Sequence, residues 1–217
     1  MKLHLGCGQR YLEGYLNIDF PLSSHSVQET SVADLHADIL GLSYPAGTIE
    51  EVRLHHVFEH FTRPIACALL TGWFSWLAPK GRIYIEVPDL RRSALVLLKP
   101  FSSFRRQSIA TRQIFGSHEA GWAVHCEGYT PKSLTHLVSN YGFKVLKIKR
   151  ISWRGVYSFA LIAQKGSIQS SKQDFEKATE RFLGNFTVDR SESERKLLEV
   201  WLDIYREQVK VGWAQDG

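Results

Sequence analysis

The chain has 217 residues, of which 44% are hydrophobic and 23% are charged. That balance is typical of a folded globular protein, and it excludes a disordered, fibrous or disulfide-scaffold protein. The net charge of +5 is uneven, since residues 1–165 carry 19 Lys and Arg against 12 Asp and Glu, whereas residues 166–217 carry 8 against 10. The stretch 91–112 contains six bases and no acid, which indicates either solvated helix faces or a surface that attracts an anionic partner.

Cysteine usage and hydropathy predict a cytoplasmic chain. The three cysteines are scattered, odd in number and not arranged as CxxC: they are Cys7, Cys67 and Cys126. No apolar run reaches the length of a membrane helix, and the first residues lack a signal-peptide pattern.

Strand-like and helix-like segments alternate over the first 165 residues, which predicts an α/β fold with a largely parallel sheet. In chain order, we expect strands at 2–5, 15–20, 33–39 and 51–57, a helix at 64–77, a strand at 81–88, a mixed helical and loop segment at 91–127, a helix at 130–141 and an antiparallel pair at 144–151 and 156–164.

The remainder changes character. A linker at 166–172 precedes two predicted helices, at 174–183 and 191–213. We therefore divide the chain into a domain at 1–165 and a linker with a helical extension at 166–217 that packs on it. The apolar stripe of the last helix would make this contact, and a dimer contact is the alternative; the stripe consists of Leu197, Leu198, Trp201, Ile204 and Tyr205.

The most informative motif is Leu5-Gly6-Cys7-Gly8, which follows the first strand. Two glycines at a strand end let the backbone approach a ligand closely. Asp19 ends the second strand eleven residues after Gly8, where a carboxylate can accept both hydroxyls of a ribose. Tyr11 stands where a dinucleotide site has its third glycine, so the cofactor needs a ribose but no pyrophosphate cradle. S-adenosylmethionine fits that description.

Over residues 2–165 the sequence resembles the class I S-adenosylmethionine-dependent methyltransferases, in particular small bacterial members related to the ubiquinone/menaquinone group. The resemblance rests on Leu5–Gly8, Asn17-Ile18-Asp19, Ala37-Asp38-Ile39, Val57-Phe58-Glu59-His60 and the segment 77–89. It implies a Rossmann-like, mostly parallel seven-stranded sheet with an antiparallel last strand. It also implies that the glycine loop wraps the methionine part, that Asp19 holds the ribose and that Asp38 contacts the adenine. The cofactor-binding residues implied in full are Leu5, Gly6, Cys7, Gly8, Asp19, Asp38, Ile39 and His56.

Two features depart from the family pattern. His4 stands where the family usually carries an acid that anchors the amino group of the cofactor. The gap between Gly8 and Asn17 leaves room for barely one helical turn, so we expect a stunted first crossover helix.

A competing interpretation comes from His56-Val57-Phe58-Glu59-His60, which is the HxxEH signature of a zinc peptidase. On a helix the two histidines would share a face, with Glu59 as the base, and Glu119 or Glu127 as a third ligand. The strand that runs into the motif argues against this arrangement, so we expect no metal site.

We therefore predict transfer of a methyl group to a small-molecule acceptor, such as a glycan intermediate or another metabolite, by a monomer or homodimer. The candidate acceptor-side residues are His60, Asp89 and His125, because each could act as a base near the strand ends. The alternatives are an RNA methyltransferase that uses the segment 91–112, and a non-catalytic S-adenosylmethionine-binding protein. Cys7 is expected to pack in the loop rather than act as a nucleophile.

Overall fold

The computed structural model describes residues 1–24, 27–167 and 171–213. Its centre is a seven-stranded sheet in the order β3-β2-β1-β4-β5-β7-β6, in which β7 runs antiparallel to both of its neighbours, β5 and β6, and the pairings within β1–β5 are parallel. The predicted Rossmann-like architecture is confirmed. The strands are β1 Lys2–Leu5, β2 Leu16–Asp19, β3 Leu35–His36, β4 Ile49–His55, β5 Leu77–Pro88, β6 Phe143–Trp153 and β7 Val156–Lys165.

The third strand is much shorter than predicted, since only Leu35–His36 of the segment 33–39 pairs in the sheet. The chain turns instead at Ile39–Gly41 into a short 3-10 helix, because the Asp38 side chain accepts a hydrogen bond from the Leu40 N–H at 2.9 Å. The fourth strand ends at His55 rather than at residue 57, and the next residue, His56, has a left-handed φ of 55°. The turns after β3 and β4 thus place Asp38 and His56 at the carboxyl ends of these strands.

Six α-helices surround the sheet within the described residues. The first follows the predicted segment 64–77 closely and has proline in its first turn. The basic segment resolves into two helices separated by a short connection. The helices are α1 Arg63–Trp76, α2 Leu90–Leu97, α3 Phe104–Phe115, α4 Pro131–Asn140, α5 Lys172–Leu183 and α6 Glu192–Gly212. None of these is both long and apolar enough to cross a membrane.

We predicted a stunted crossover helix after β1, but the described residues 6–15 contain no helix at all. Without that helix, a layer of stacked side chains covers this part of the sheet. The Arg53 guanidinium lies 5.4 Å from the ring centre of Tyr15 and 4.1 Å from that of Tyr84, while its Nη2 pairs with Glu51 at 2.6 Å.

The two C-terminal helices pack against α1. Tyr205 of α6 is buried and its hydroxyl lies 3.1 Å from Thr71 Oγ1, and the Trp76 indole N–H donates to the Gly212 carbonyl at 2.7 Å. The buried positions of α6 are Leu202, Tyr205, Val209 and Gly212, which follow helical spacing. The predicted stripe is therefore partly wrong: Leu197 and Ile204 remain exposed, because the helix is rotated from the expected orientation.

Candidate functional site

A cavity of about 610 Å³ opens at the carboxyl ends of β1, β2 and β4. Open α/β sheets bind ligands at this edge, because the chain crosses there from one strand to the next. The lining combines backbone from the glycine loop with polar and aromatic side chains from five further segments. It comprises Gly6, Cys7, Gly8, Arg10, Asp19, Phe20, Val27, Gln28, Ala37–Leu40, His55–Val57, His60, Phe61, Glu119 and Trp122.

The glycine loop is shaped by its neighbours. Gly6 and Gly8 have left-handed φ values of 66° and 55°, and a Cβ on Gly6 would lie 2.4 Å from Val57 Cγ2. The N–H groups of Gly6 and Cys7 both donate to the Ile18 carbonyl, at 2.8 and 3.1 Å. The loop therefore requires glycine at its first position and is held on β2.

The Asp19 carboxylate connects the glycine loop to the next strand. It is 7% exposed, and its oxygens accept hydrogen bonds from the N–H groups of Gly8 at 2.5 Å and Phe20 at 2.8 Å. Burial, followed by the nearby Asp19 charge, raises the pKa of the Cys7 thiol to about 12. Cys7 is thus a neutral thiol packed in the loop, which agrees with a structural rather than nucleophilic role.

The adenine-side residues also reach the cavity. Asp38 is exposed at its edge and Ile39 forms a buried apolar wall beside it. Leu5 differs from the other predicted cofactor residues, because its side chain is fully buried in the core and only the residues after it line the cavity.

His4 begins a chain of hydrogen bonds that ends in the cavity. Its Nδ1 lies 3.0 Å from Asn17 Oδ1, a carbonyl-type acceptor, so His4 carries its proton on Nδ1. Its Nε2 must then accept from His55 Nδ1, also at 3.0 Å. This leaves a lone pair on His55 Nε2, which is buried and has no hydrogen-bond partner among the described residues. Burial lowers the pKa of both imidazoles, that of His55 to about 3, so both are neutral at pH 7.

His56 lies between two carboxylates. Its Nδ1 is 3.4 Å from Glu59 Oε1, and its Nε2 is 3.4 Å from Glu86 Oε1. Burial alone would lower the pKa of His56, but the two carboxylates outweigh it and raise this pKa to about 9. His56 is therefore a cation that fixes the turn between β4 and α1 at the cavity wall.

Two of the three predicted acceptor-side residues lie together. The His60 ring lines the cavity, and the His125 ring lies 4.8 Å from it, centre to centre, on the loop that precedes α4. Behind them is the buried Glu59, whose Oε1 is 3.9 Å from His125 Nε2.

Asp89 does not join them. It is buried, its carboxylate accepts a hydrogen bond from the Arg92 N–H at 3.1 Å and caps α2, and it is not part of the cavity lining. The sequence alone does not distinguish a helix cap from a ligand contact at this position, because a carboxylate accepts hydrogen bonds in both roles.

Several residues of the cavity lining were not predicted from the sequence, among them His55, Arg10 and Phe61. His55 could have been inferred from its place at the last position of β4, beside β1. Its link to His4 depends on the pairing of these two strands, which a single sequence does not reveal. Trp122 also lines the cavity, where its indole N–H donates to the Ser24 carbonyl at 2.8 Å.

The family relationship agrees with this geometry. Residues 5–148 match a family described as a methyltransferase domain. The chain belongs to this family of methyltransferases. The methyltransferase therefore has the predicted activity class, and S-adenosylmethionine is the cofactor of class I enzymes of this kind.

Solved structures confirm the fold of the methyltransferase at low sequence identity. It is similar to an S-adenosylmethionine-dependent methyltransferase from Methanosarcina mazei, with 15% identity, coverage of 76% of this chain and 92% of that chain, and a TM-score of 0.50. It is also similar to the 1,6-didemethyltoxoflavin-N1-methyltransferase of Burkholderia thailandensis, with 13% identity, coverage of 76% of this chain and 71% of that chain, and a TM-score of 0.51. A third similar structure is the putative methyltransferase of Haloferax volcanii in complex with the Trm112 methyltransferase activator. The identity is 13%, the coverage is 78% of this chain and 83% of that chain, and the TM-score is 0.52. A search of curated protein sequences finds no match to the methyltransferase.

Proposed function

We propose that the protein transfers the methyl group of S-adenosylmethionine to a nucleophilic oxygen or nitrogen atom of a small molecule. The observation that carries this proposal is the convergence of the glycine loop, the Asp19 carboxylate and the His55 lone pair on one cavity. Each suits a different part of the cofactor, and their order along the cavity edge follows the strand order.

Three features fit the adenosyl and methionyl parts of the cofactor. The buried Asp19 carboxylate lines the cavity, and carboxylate oxygens are acceptors that suit the two hydroxyls of a ribose. Asp38 and Ile39 offer an acceptor and an apolar surface to the adenine. Gly6 and Gly8 bring main chain, without a Cβ, against the methionyl part.

The amino group of the cofactor requires an acceptor, and we assign it to His55. His4 is fully buried and uses both ring nitrogens, so it does not replace the family's acid directly. The lone pair of His55 Nε2 is buried at the cavity and suits an ammonium donor. The absence of the family's acid at position 4 was the reason to consider a non-catalytic S-adenosylmethionine-binding protein. An acceptor on His55 that takes over the role of this acid makes that alternative weaker.

At the acceptor end, His60 faces the cavity beside the aromatic rings of Phe61 and Trp122. A cavity of this volume that also holds the cofactor leaves room for a small acceptor. The acceptor atom forms its bond to the methyl carbon while the carbon–sulfur bond breaks and its electron pair stays on sulfur. Aligning the two and excluding water are the main contributions of the protein. The Burkholderia enzyme, whose structure contains bound 1,6-didemethyltoxoflavin, is a precedent for a small-molecule acceptor.

The first experiment is calorimetric titration of the protein with S-adenosylhomocysteine. We expect binding at micromolar Kd, and loss of at least tenfold in affinity for Asp19→Ala, because the carboxylate also positions Gly8. Glu207→Ala, on the exposed face of α6, is the matched control and should bind like the unmodified protein. Equal affinity in Asp19→Ala and the control would disprove the assignment of this cavity.

RNA is the second candidate acceptor, because α2 and α3 combine bases with exposed aromatic side chains. Phe101 is 99% and Phe104 is 86% exposed, and Arg105 and Arg106 lie beside them. This pattern suits single-stranded nucleic acid, in which bases stack on aromatic rings. RNA binding that weakens steeply with salt, and that Phe104→Ala reduces, would favour this acceptor over a small molecule.

A further inference from the structure

Three side chains that can ligate metals meet at the acceptor end of the cavity. Glu59 and His60 belong to the turn that follows β4, and His125 comes from the loop before α4. One ligand atom from each lies within 4.8 Å of the other two. We propose that this cluster binds a divalent transition metal ion such as Zn²⁺.

Both imidazoles have the hydrogen bonds of metal-ligating histidines. His60 Nδ1 lies 3.1 Å from the Val124 carbonyl, and His125 Nδ1 lies 2.9 Å from the Gln113 carbonyl. A carbonyl oxygen only accepts, so each neutral ring carries its proton on Nδ1 and keeps a lone pair on Nε2. Carbonyl groups fix the tautomer and orientation of zinc-bound histidines in this way.

The carboxylate of Glu59 makes no hydrogen bond to a described residue and shares its ion-pair neighbour, His56, with Glu86. Glu59 is 1% exposed, and neither of its oxygens accepts a hydrogen bond from any described residue. The nearest ring nitrogens are His56 Nδ1 at 3.4 Å and His125 Nε2 at 3.9 Å. Because a buried carboxylate without hydrogen bonds is costly, a cation at this point would stabilise the site.

The ligand segments are held together independently of any ion. The main-chain carbonyl of Glu59 accepts from the N–H groups of Cys126 and Glu127, at 2.9 and 3.1 Å. These bonds place His125 beside the turn that contains Glu59 and His60, although 65 residues separate the two segments. The site therefore depends on tertiary structure and differs from the HxxEH motif, in which His56 is a ligand.

Two nitrogens and one carboxylate oxygen suit zinc and other first-row divalent ions, with a further position free for a ligand. Tetrahedral bonds of about 2.0–2.1 Å separate ligand atoms by about 3.3 Å, so the ligands would close by up to about 1.5 Å through side-chain rotation. Of the three ligands His60 lines the cavity, so an acceptor in the cavity would reach the ion on the side of His60. An acceptor hydroxyl bound there would lose its proton more easily. This last step rests on the proposed function, whereas metal binding does not.

The test is metal binding by the untagged protein. After treatment with a chelator and dialysis, the protein is titrated with Zn²⁺ and, separately, with Co²⁺. We expect one ion per chain and, for Co²⁺, visible absorption bands of a four- or five-coordinate complex. The variants Glu59→Gln, His60→Ala and His125→Ala should each lose at least tenfold in affinity, while His136→Ala, an exposed histidine on α4, should not.

Titration with S-adenosylhomocysteine on the same samples separates the two proposals and shows that the variants fold. Cofactor binding without stoichiometric metal would overturn the metal site and leave the methyltransferase function intact. Metal binding without cofactor binding would contradict the proposed function alone. Metal binding that is equal in all the variants would also overturn the site, since the ion would then be held elsewhere.

Discussion

At the scale of single residues, the protein replaces an acid by a relay of two imidazoles. A carboxylate at position 4 would be buried and charged, which is costly without a partner. His4 is neutral and satisfied by Asn17, and its contact with His55 Nδ1 leaves the lone pair of His55 on Nε2. In the proposed function, the residue that contacts the amino group of the cofactor therefore lies on β4 and not on β1.

This relay predicts a selective loss of affinity. His55→Leu removes the lone pair and should weaken S-adenosylhomocysteine binding by about tenfold, as expected for one hydrogen bond to a charged group. Binding of 5′-methylthioadenosine, which lacks the amino group, should change by less than about twofold. His55→Gln, which retains an acceptor oxygen, should recover part of the loss. Equal losses for both ligands would mean that His55 serves only the structure of the cavity.

The same two histidines predict a dependence of stability on pH. Burial lowers the pKa of His55 to about 3, whereas in the unfolded chain it titrates near 6.5. As pH falls below about 6.5 the unfolded chain takes up the proton first, so stability is fully present above that pH and is lost toward pH 3. The free energy of unfolding should fall by up to about 1 kcal/mol per pH unit, after a discount for partial exposure. Urea denaturation at pH 5 to 8 should show a flatter curve for His55→Gln.

At the scale of elements, the loop after β1 connects packing with binding. Gly6→Ala should destabilise the fold by about 1–3 kcal/mol, since its Cβ would meet Val57 at 2.4 Å in a left-handed backbone. Gly8→Ala is the matched control, because it has the same backbone strain but nothing within 4 Å of its Cβ. Thermal denaturation should therefore show the larger decrease in Tm for Gly6→Ala. Equal decreases would indicate that backbone strain, and not the contact with Val57, requires the glycine.

At the scale of the whole molecule, α6 completes the core on the side of α1. Tyr205→Ala removes a buried ring and its hydrogen bond to Thr71, so we expect a loss of about 3–5 kcal/mol in the free energy of unfolding. Ile204→Ala alters the adjacent residue, which is 39% exposed, and should cost less than about 1 kcal/mol. If both variants lost equally little in urea denaturation, α6 would not contribute to the stability of the fold.

The sequence by itself determined the sheet, the glycine loop and the methyltransferase family, because these depend on short-range patterns: apolar runs, strand-ending glycines and an acid at a fixed spacing. Gly6, Gly8 and Asp19 lie within 14 residues, so one sequence window contains them. Only the tertiary structure decided that His55 is hydrogen-bonded to His4 and that Asp89 caps a helix. It also decided that the side chains of Glu59, His60 and His125 lie close together. These arrangements depend on strand pairing and on the path of a long loop, in which residues distant along the chain are brought together by the packing of the core.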